Sequence, residues 1–338
     1  MLLAVLLAGC GARDAPWTAP PASAGPSPTG APSPPASGLP SGVMPSASAV
    51  VPSPPAVAPS PSVTPTSGTT GDAAVTLLAA GDIGRCDATT DDATGALVAS
   101  LDGVVATLGD TAYEDGTAQE LTDCFGGAWG AVKDRIRFAV TGNHDIHTDN
   151  GKPLQDYLGS AAVRDGRTWF SDTLGAWHVI VLDGNCGLTG SRCAHDSEQA
   201  RWLRDDLAAT TARCTVALMH QPRFSSGQHG DDRQVRPLWD ALYAANAELV
   251  LDGHDHDYER FAPQDPDGTP DGTRGIVEIV AGMGGATLEA FRTTSTNSLV
   301  RINVAYGVLE LTFGADAWSS RFIDTDGAVR DSAGGTCH

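Results

Sequence analysis

The chain has 338 residues and a formal net charge of −20, from 41 acidic and 21 basic side chains. That balance excludes the basic footprint of a non-specific nucleic-acid binder, so no nucleic-acid partner is expected. Of its 22 prolines, 16 fall between Pro16 and Pro65, which leaves residues 72–338 for one large single-core domain.

The chain opens on an apolar run, Leu2 to Ala8, that is too short to span a bilayer. It ends in Leu7-Ala8-Gly9-Cys10, small residues before a cysteine, and resembles a bacterial lipobox. No Lys or Arg precedes it. The resemblance implies a signal segment over residues 1–10, cleavage before Cys10 and lipidation of its thiol. That lipid would be the chain's membrane contact, and the protein would work outside the cytoplasm. Residues 11–71 are mostly Pro, Ala, Ser, Gly and Thr, with almost no charge and Trp17 as the one aromatic. Such a stretch cannot bury enough apolar surface to offset its ordering entropy, so it is expected to be a disordered linker.

From residue 75 onward one arrangement recurs. A short apolar run, read as a buried strand, ends in a polar cluster. Val75 to Ala80 leads to Gly81-Asp82-Ile83-Gly84, and Val104 to Leu108 to Gly109-Asp110-Thr111-Ala112-Tyr113. Phe138 to Val140 leads to Gly142-Asn143-His144-Asp145. Val216 to Met219 ends at His220, and Leu249 to Leu251 precedes Gly253-His254-Asp255-His256. Helical patterns lie between, notably Ser197 to Ala209 with Ser197 as N-cap. Asp231 and Asp232 are expected to cap a helix beginning near Arg233. Strands alternating with helices imply an α/β fold, in which ligands collect at the carboxyl ends of strands.

Each cluster carries a donor for a hard or borderline cation. Asp82 and Asp110 offer carboxylates, Tyr113 a phenolate and Asn143 an amide oxygen; His220, His254 and His256 offer imidazoles. Seven donors exceed one tetrahedral ion and suit two, with one carboxylate bridging. Glycines at 81, 109, 142 and 253 are expected to permit the sharp turn at each ligand.

These five motifs, in this order, resemble those of the purple acid phosphatases, a branch of the calcineurin-like metallophosphoesterases. The extension Asp257-Tyr258-Glu259-Arg260 resembles them too. The resemblance implies a four-layer αββα sandwich of two mixed β-sheets flanked by helices. It places Asp82, Asp110, Tyr113 and His256 on a first metal, with Asp110 bridging and Asn143, His220 and His254 completing a second. Gly84 stands where many calcineurin-like enzymes carry a His ligand, whereas Tyr113 matches the purple enzymes. The metals implied are Fe(III) paired with Fe(II), Zn(II) or Mn(II). The chemistry implied is hydrolysis of small phosphate monoesters by a metal-bound hydroxide. His144, oriented by Asp145, would contact the phosphate, and His229 would contact substrate or protonate the leaving group. Arg223 and Arg260 are further candidates to border the cleft.

Three other readings stay open: a phosphodiesterase or nucleotidase on the same metals, a non-catalytic metal-binding surface lipoprotein, and a redox role for iron. Six cysteines remain besides Cys10, an even number that favours disulfides in an exported chain. The pairing expected is Cys86–Cys124, Cys186–Cys193 and Cys214–Cys337.

Overall fold

The computed structural model describes residues 74–188 and 192–338. Cys10, the expected signal segment and the Pro-rich linker lie outside those residues.

Strand β1 (Val75–Ala80) enters the core at once and is followed by helix α1 (Thr90–Ser100) and strand β2 (Val104–Thr107). A helical stretch then runs through α2 (Ala118–Glu120) and α3 (Gly126–Trp129) to strand β3 (Ile136–Ala139). Its entry is a capping box, with the Thr117 side chain accepting from the Glu120 N–H and the Glu120 carboxylate returning to the Thr117 N–H. Helix α4 (Lys152–Leu158) leads to the hairpin of β4 (Phe170–Leu174) and β5 (Trp177–Val181). Helix α5 (Glu198–Ala209) follows, and Ser197 caps it by accepting from the Ala200 N–H.

Next come β6 (Cys214–Leu218), α6 (Arg236–Ala244), β7 (Leu249–Asp252), β8 (Tyr258–Phe261) and β9 (Val277–Ala281). The last four strands are β10 (Ser298–Ile302), β11 (Gly307–Phe313), β12 (Ala317–Asp324) and β13 (Val329–Thr336). Helix α6 starts three residues later than expected and its N-cap is Val235. Asp232 closes a turn by accepting the Gln234 N–H, and Asp231 accepts the Ser225 N–H, so neither caps it.

The strands form two mixed sheets. One has six strands in the order β13-β12-β11-β1-β2-β3, the other seven in the order β10-β8-β9-β7-β6-β5-β4. β1, β2 and β3 are parallel neighbours, as are β5, β6, β7 and β9. Of the later strands, β9 joins the seven-stranded sheet, while β11 and β12 join the six-stranded one.

Side-chain alternation sorts each strand between two cores. Leu77 and Ala79 of β1 pack with Trp177, Val216, Leu249 and Ile279 between the sheets. Leu78 and Ala80 face the other way, onto Val98, Phe125, Trp129 and Leu154. On the far side Ala217, Val250 and Val280 pack against Leu203, Leu238 and Trp239 of α5 and α6. The result is the four-layer αββα sandwich. Trp177 stacks on Phe313 across the sheet seam with ring centroids 4.4 Å apart. Truncating so large a buried ring costs about 3–5 kcal/mol.

Three disulfides are present, Cys86–Cys124, Cys186–Cys193 and Cys214–Cys337. Among the described residues no helix is long and apolar enough to cross a membrane.

Candidate metal centre

The carboxyl ends of β1, β2, β3, β6 and β7 open on one cleft at the seam, and the seven donor residues of the motifs stand there. Tyr113 Oη lies 2.8 Å from Asp82 Oδ1, 3.3 Å from Asp110 Oδ2 and 3.1 Å from His256 Nε2. Beside this group, His220 Nε2 lies 3.2 Å from Asn143 Oδ1 and 3.2 Å from Asp110 Oδ2. One oxygen, Asp110 Oδ2, thus belongs to both groups. His254 joins the second, where Asp110, His220 and His254 offer ligand atoms all within 4.8 Å of one another.

The ring nitrogens are oriented by what lies behind them. His220 Nδ1 is 2.8 Å from the Leu108 carbonyl, and His256 Nδ1 is 3.0 Å from that of Thr287. A carbonyl only accepts, so each Nδ1 carries a hydrogen, and each Nε2 is turned to the cluster, where it can offer a lone pair once a cation displaces any proton there. His254 differs: its Nδ1 is buried without a hydrogen-bond partner. A buried unpaired ring nitrogen is costly, and a cation in the cleft would satisfy it.

The backbone concentrates strain at these residues. Asp82, Asp110 and His254 themselves adopt positive φ of 60°, 47° and 74°, which costs energy for a residue with a Cβ. The neighbouring glycines mostly supply room instead. A Cβ on Gly142 would sit 2.1 Å from Asp110 Oδ1, and one on Gly109 would sit 2.4 Å from His220 Nδ1. Gly109 alone among the four expected glycines has positive φ, at 90°.

The electrostatics describe a cluster short of positive charge. Burial, then Asp82 and Asp110, push the Tyr113 phenol well above its ordinary value. Burial raises Asp82 against the pull of His220. Burial also opposes ionisation of Asp110, but His220, His144 and His254 together outweigh it and hold that carboxyl below the usual range. Burial would lower His220, but Asp110, Asp82 and the Leu108 carbonyl together outweigh it and lift the ring to about 10. Burial, with His220 and His229 beside it, depresses His254 to about 3. A bound cation inverts this logic, favouring phenolate, carboxylates and neutral imidazoles together. The donor set therefore fits metal: oxygen donors, three imidazoles and an orphaned nitrogen around a shared carboxylate.

His144 stands at the mouth of the cleft. Its ring lies 4.6 Å from that of Tyr113, its backbone N–H donates to Asp110 Oδ1 at 2.8 Å, and its Nδ1 donates to the Glu114 carbonyl at 2.6 Å. Nε2 is left as its free edge.

Asp145 does not orient that ring, contrary to expectation. Its carboxylate is fully buried and accepts the Thr111 N–H at 3.0 Å and the Gly142 N–H at 2.8 Å. It braces two ligand loops against each other. Burial and then Asp110 raise its pKa to about 7.

His229 does reach the site, stacking on His254 with ring centroids 4.1 Å apart. Arg260 instead forks onto Asp331 of β13, and buried Arg223 donates to the Pro266 carbonyl. Sequence reasoning passed over Glu114 and Asp255. Asp255 left one signal, a carboxylate between two imidazoles.

Residues 75–258 match the family model described as calcineurin-like phosphoesterase. The chain belongs to that family. Purple acid phosphatase 21 of Arabidopsis thaliana is 28% identical over 46% of this chain and 38% of its own length. An uncharacterized protein of Mycobacterium tuberculosis is 32% identical over 44% of this chain and 35% of its own length. The chain thus matches well under half the length of these relatives. Among solved structures, the purple acid phosphatase of yellow lupin (Lupinus luteus) seeds superposes with a TM-score of 0.62 at 18% identity. That match covers 79% of this chain and 54% of the lupin protein. GAP50, described as the anchor in the inner membrane complex of Plasmodium, gives 0.61 at 14% identity, covering 78% and 89%. Those likenesses concern the fold alone.

Proposed function

We propose that this calcineurin-like phosphoesterase is a purple acid phosphatase-like, dinuclear-metal hydrolase of small phosphate monoesters, working outside the cytoplasm. The observation that carries the reading is the position of Asp110 Oδ2, shared by the Tyr113 and His220 groups. Asp82, Asp110, Tyr113 and His256 would hold one ion, and Asp110, Asn143, His220 and His254 the other. A phenolate among carboxylates favours Fe(III) at the first; Fe(II), Zn(II) or Mn(II) suits the second. Two such ions lower the pKa of water and neutralise phosphoryl charge.

The chain's own residues supply the rest. His144 would bind a phosphoryl oxygen through Nε2. His229 would serve the leaving oxygen. Asp145 keeps the Asp110 and Asn143 loops in register. Three disulfides suit an oxidising compartment. A fold also found in an anchor protein does not decide activity; the site does.

The test is phosphate release from phenyl phosphate and from its diester by the purified full chain. The account expects monoester turnover, lowered about a hundredfold in His144→Ala. Turnover of the diester alone would replace the monoesterase by a phosphodiesterase.

A further inference from the structure

Asp255 lies between two of the imidazoles yet turns away from the cluster into the loop that carries His229. Its side chain is fully buried. Oδ1 accepts the His229 backbone N–H at 2.7 Å and faces His229 Nδ1 at 3.1 Å. Oδ2 accepts the Ser225 hydroxyl, whose oxygen in turn accepts the Gly227 N–H at 2.9 Å. The loop is wrapped so closely that a Cβ on Gly227 would sit 2.4 Å from the Asp255 carboxyl carbon. The His229 ring is thus held on one edge by a carboxylate and on one face by the His254 ring, stacked at 29°.

A carboxylate facing Nδ1 keeps the hydrogen there. The opposite edge, Nε2, belongs to a side chain that remains 47% exposed. Glu289 stands near, and His229, Asp255 and Glu289 offer atoms within 4.8 Å of one another. A third metal on that trio is disfavoured. Asp255 already accepts from an N–H, a ring nitrogen and a hydroxyl, and His229 Nδ1 donates where a ligand must offer a lone pair.

We propose that Asp255 is a positioning residue, which fixes His229 with Nδ1–H on the carboxylate and Nε2 toward the leaving oxygen of the ester. The proposal rests on the phosphoesterase reading above. As the P–O bond breaks, its electron pair passes to the leaving oxygen, which takes the Nε2 proton. The hydroxyl of water ends on phosphorus, and the remaining proton of that water returns through solvent to His229. The hydrogen on Nδ1 stays with Asp255 throughout.

The test compares esters that differ in their need for that proton. In the metal-loaded full chain, Asp255→Ala should lower kcat on phenyl phosphate about a hundredfold, and on dinitrophenyl phosphate less than about threefold. KM should hold for both, metal content should match wild type, and Asp255→Asn, which keeps an acceptor, should restore much of the loss. In a His229→Ala background, Asp255→Ala should add nothing. Equal losses on the two esters would overturn the proposal. So would loss of metal in Asp255→Asn, which would mean that Asp255 acts through His254 and His256.

A readout independent of turnover is nitrogen NMR of the zinc-loaded chain with labelled histidines. His229 should show its hydrogen on Nδ1, and lose that preference in Asp255→Ala. A hydrogen on Nε2 in wild type, or a third bound metal removed by either variant, would contradict it. If wild type hydrolyses neither ester, the phosphoesterase reading fails, while the NMR still decides the geometry.

Discussion

The two sheets are joined at both ends of their seam, and the two junctions are built from opposite materials. At the amino end of β6, Cys214 is bonded to Cys337 beyond β13, and Trp177 stacks on Phe313. The Trp177 Nε1–H also donates to the Gly314 carbonyl at 2.9 Å. That junction is covalent and apolar and needs nothing more. At the carboxyl ends the six-stranded sheet contributes oxygen, from Asp82, Asp110, Tyr113 and Asn143. The seven-stranded sheet contributes nitrogen, from His220, His254 and His256. The second junction holds strained backbone, crowded acids and an orphaned ring nitrogen. The contrast separates what the fold can do alone from what it leaves for cations to complete.

The sharpest way to break that contrast is Asp110→Asn, which removes the one oxygen common to both donor groups. A loss of about 4 kcal/mol in transition-state stabilisation, roughly a thousandfold in kcat, is expected. Metal analysis should show occupancy falling at both positions.

The other junction answers to a different probe. Replacing Cys214 and Cys337 by Ser opens a closure of 123 residues, which should cost about 4 kcal/mol in denaturant unfolding. kcat per folded molecule should not change.

Chelation has a smaller expected effect than either. Metal at a hundredfold over its Kd stabilises by about 2.7 kcal/mol, so stripping it should lower the melting temperature measurably. If the junctions are independent, this loss and that of the disulfide variant should add within about 0.5 kcal/mol.

The smallest expected effect lies in the seven-stranded sheet, away from the donor atoms. Burial raises the Glu278 carboxyl to about 8. The native state therefore holds a proton that the unfolded chain releases near the ordinary value of 4.5. That contribution is fully present below about 4.5 and is lost as pH rises through about 8. Glu278→Gln keeps the acceptor for the Arg223 and Phe224 N–H groups. It should flatten the pH profile of unfolding and gain about 1–2 kcal/mol on the alkaline side.

How much of this was legible in the sequence follows the same division. The donor cluster could be read because each ligand stands within a few residues of the end of a short apolar strand. The continuous apolar run of β1 likewise marked a buried strand. What could not be read depends on where a turn sends a side chain. Asp145 follows His144 directly, yet its carboxylate faces Thr111 and Gly142. Asp255 fills a variable position between two imidazoles, and only the fold brings the 225–229 loop onto it. Strand β13 was also missed. Its sequence, Val329 to Thr336, holds two glycines, an alanine, an arginine and an aspartate, with little β signal of its own. Pairing with β12 supplies the order.

The measurement that bears most directly on the two-ion junction is phosphate release from phenyl phosphate by the metal-free full chain, followed as metal equivalents are added back. The account predicts a rate that rises to its plateau at two equivalents per chain and stays near zero throughout in Asp110→Asn. A plateau at one equivalent, or turnover that needs no metal, would contradict a centre built around the shared Asp110 oxygen.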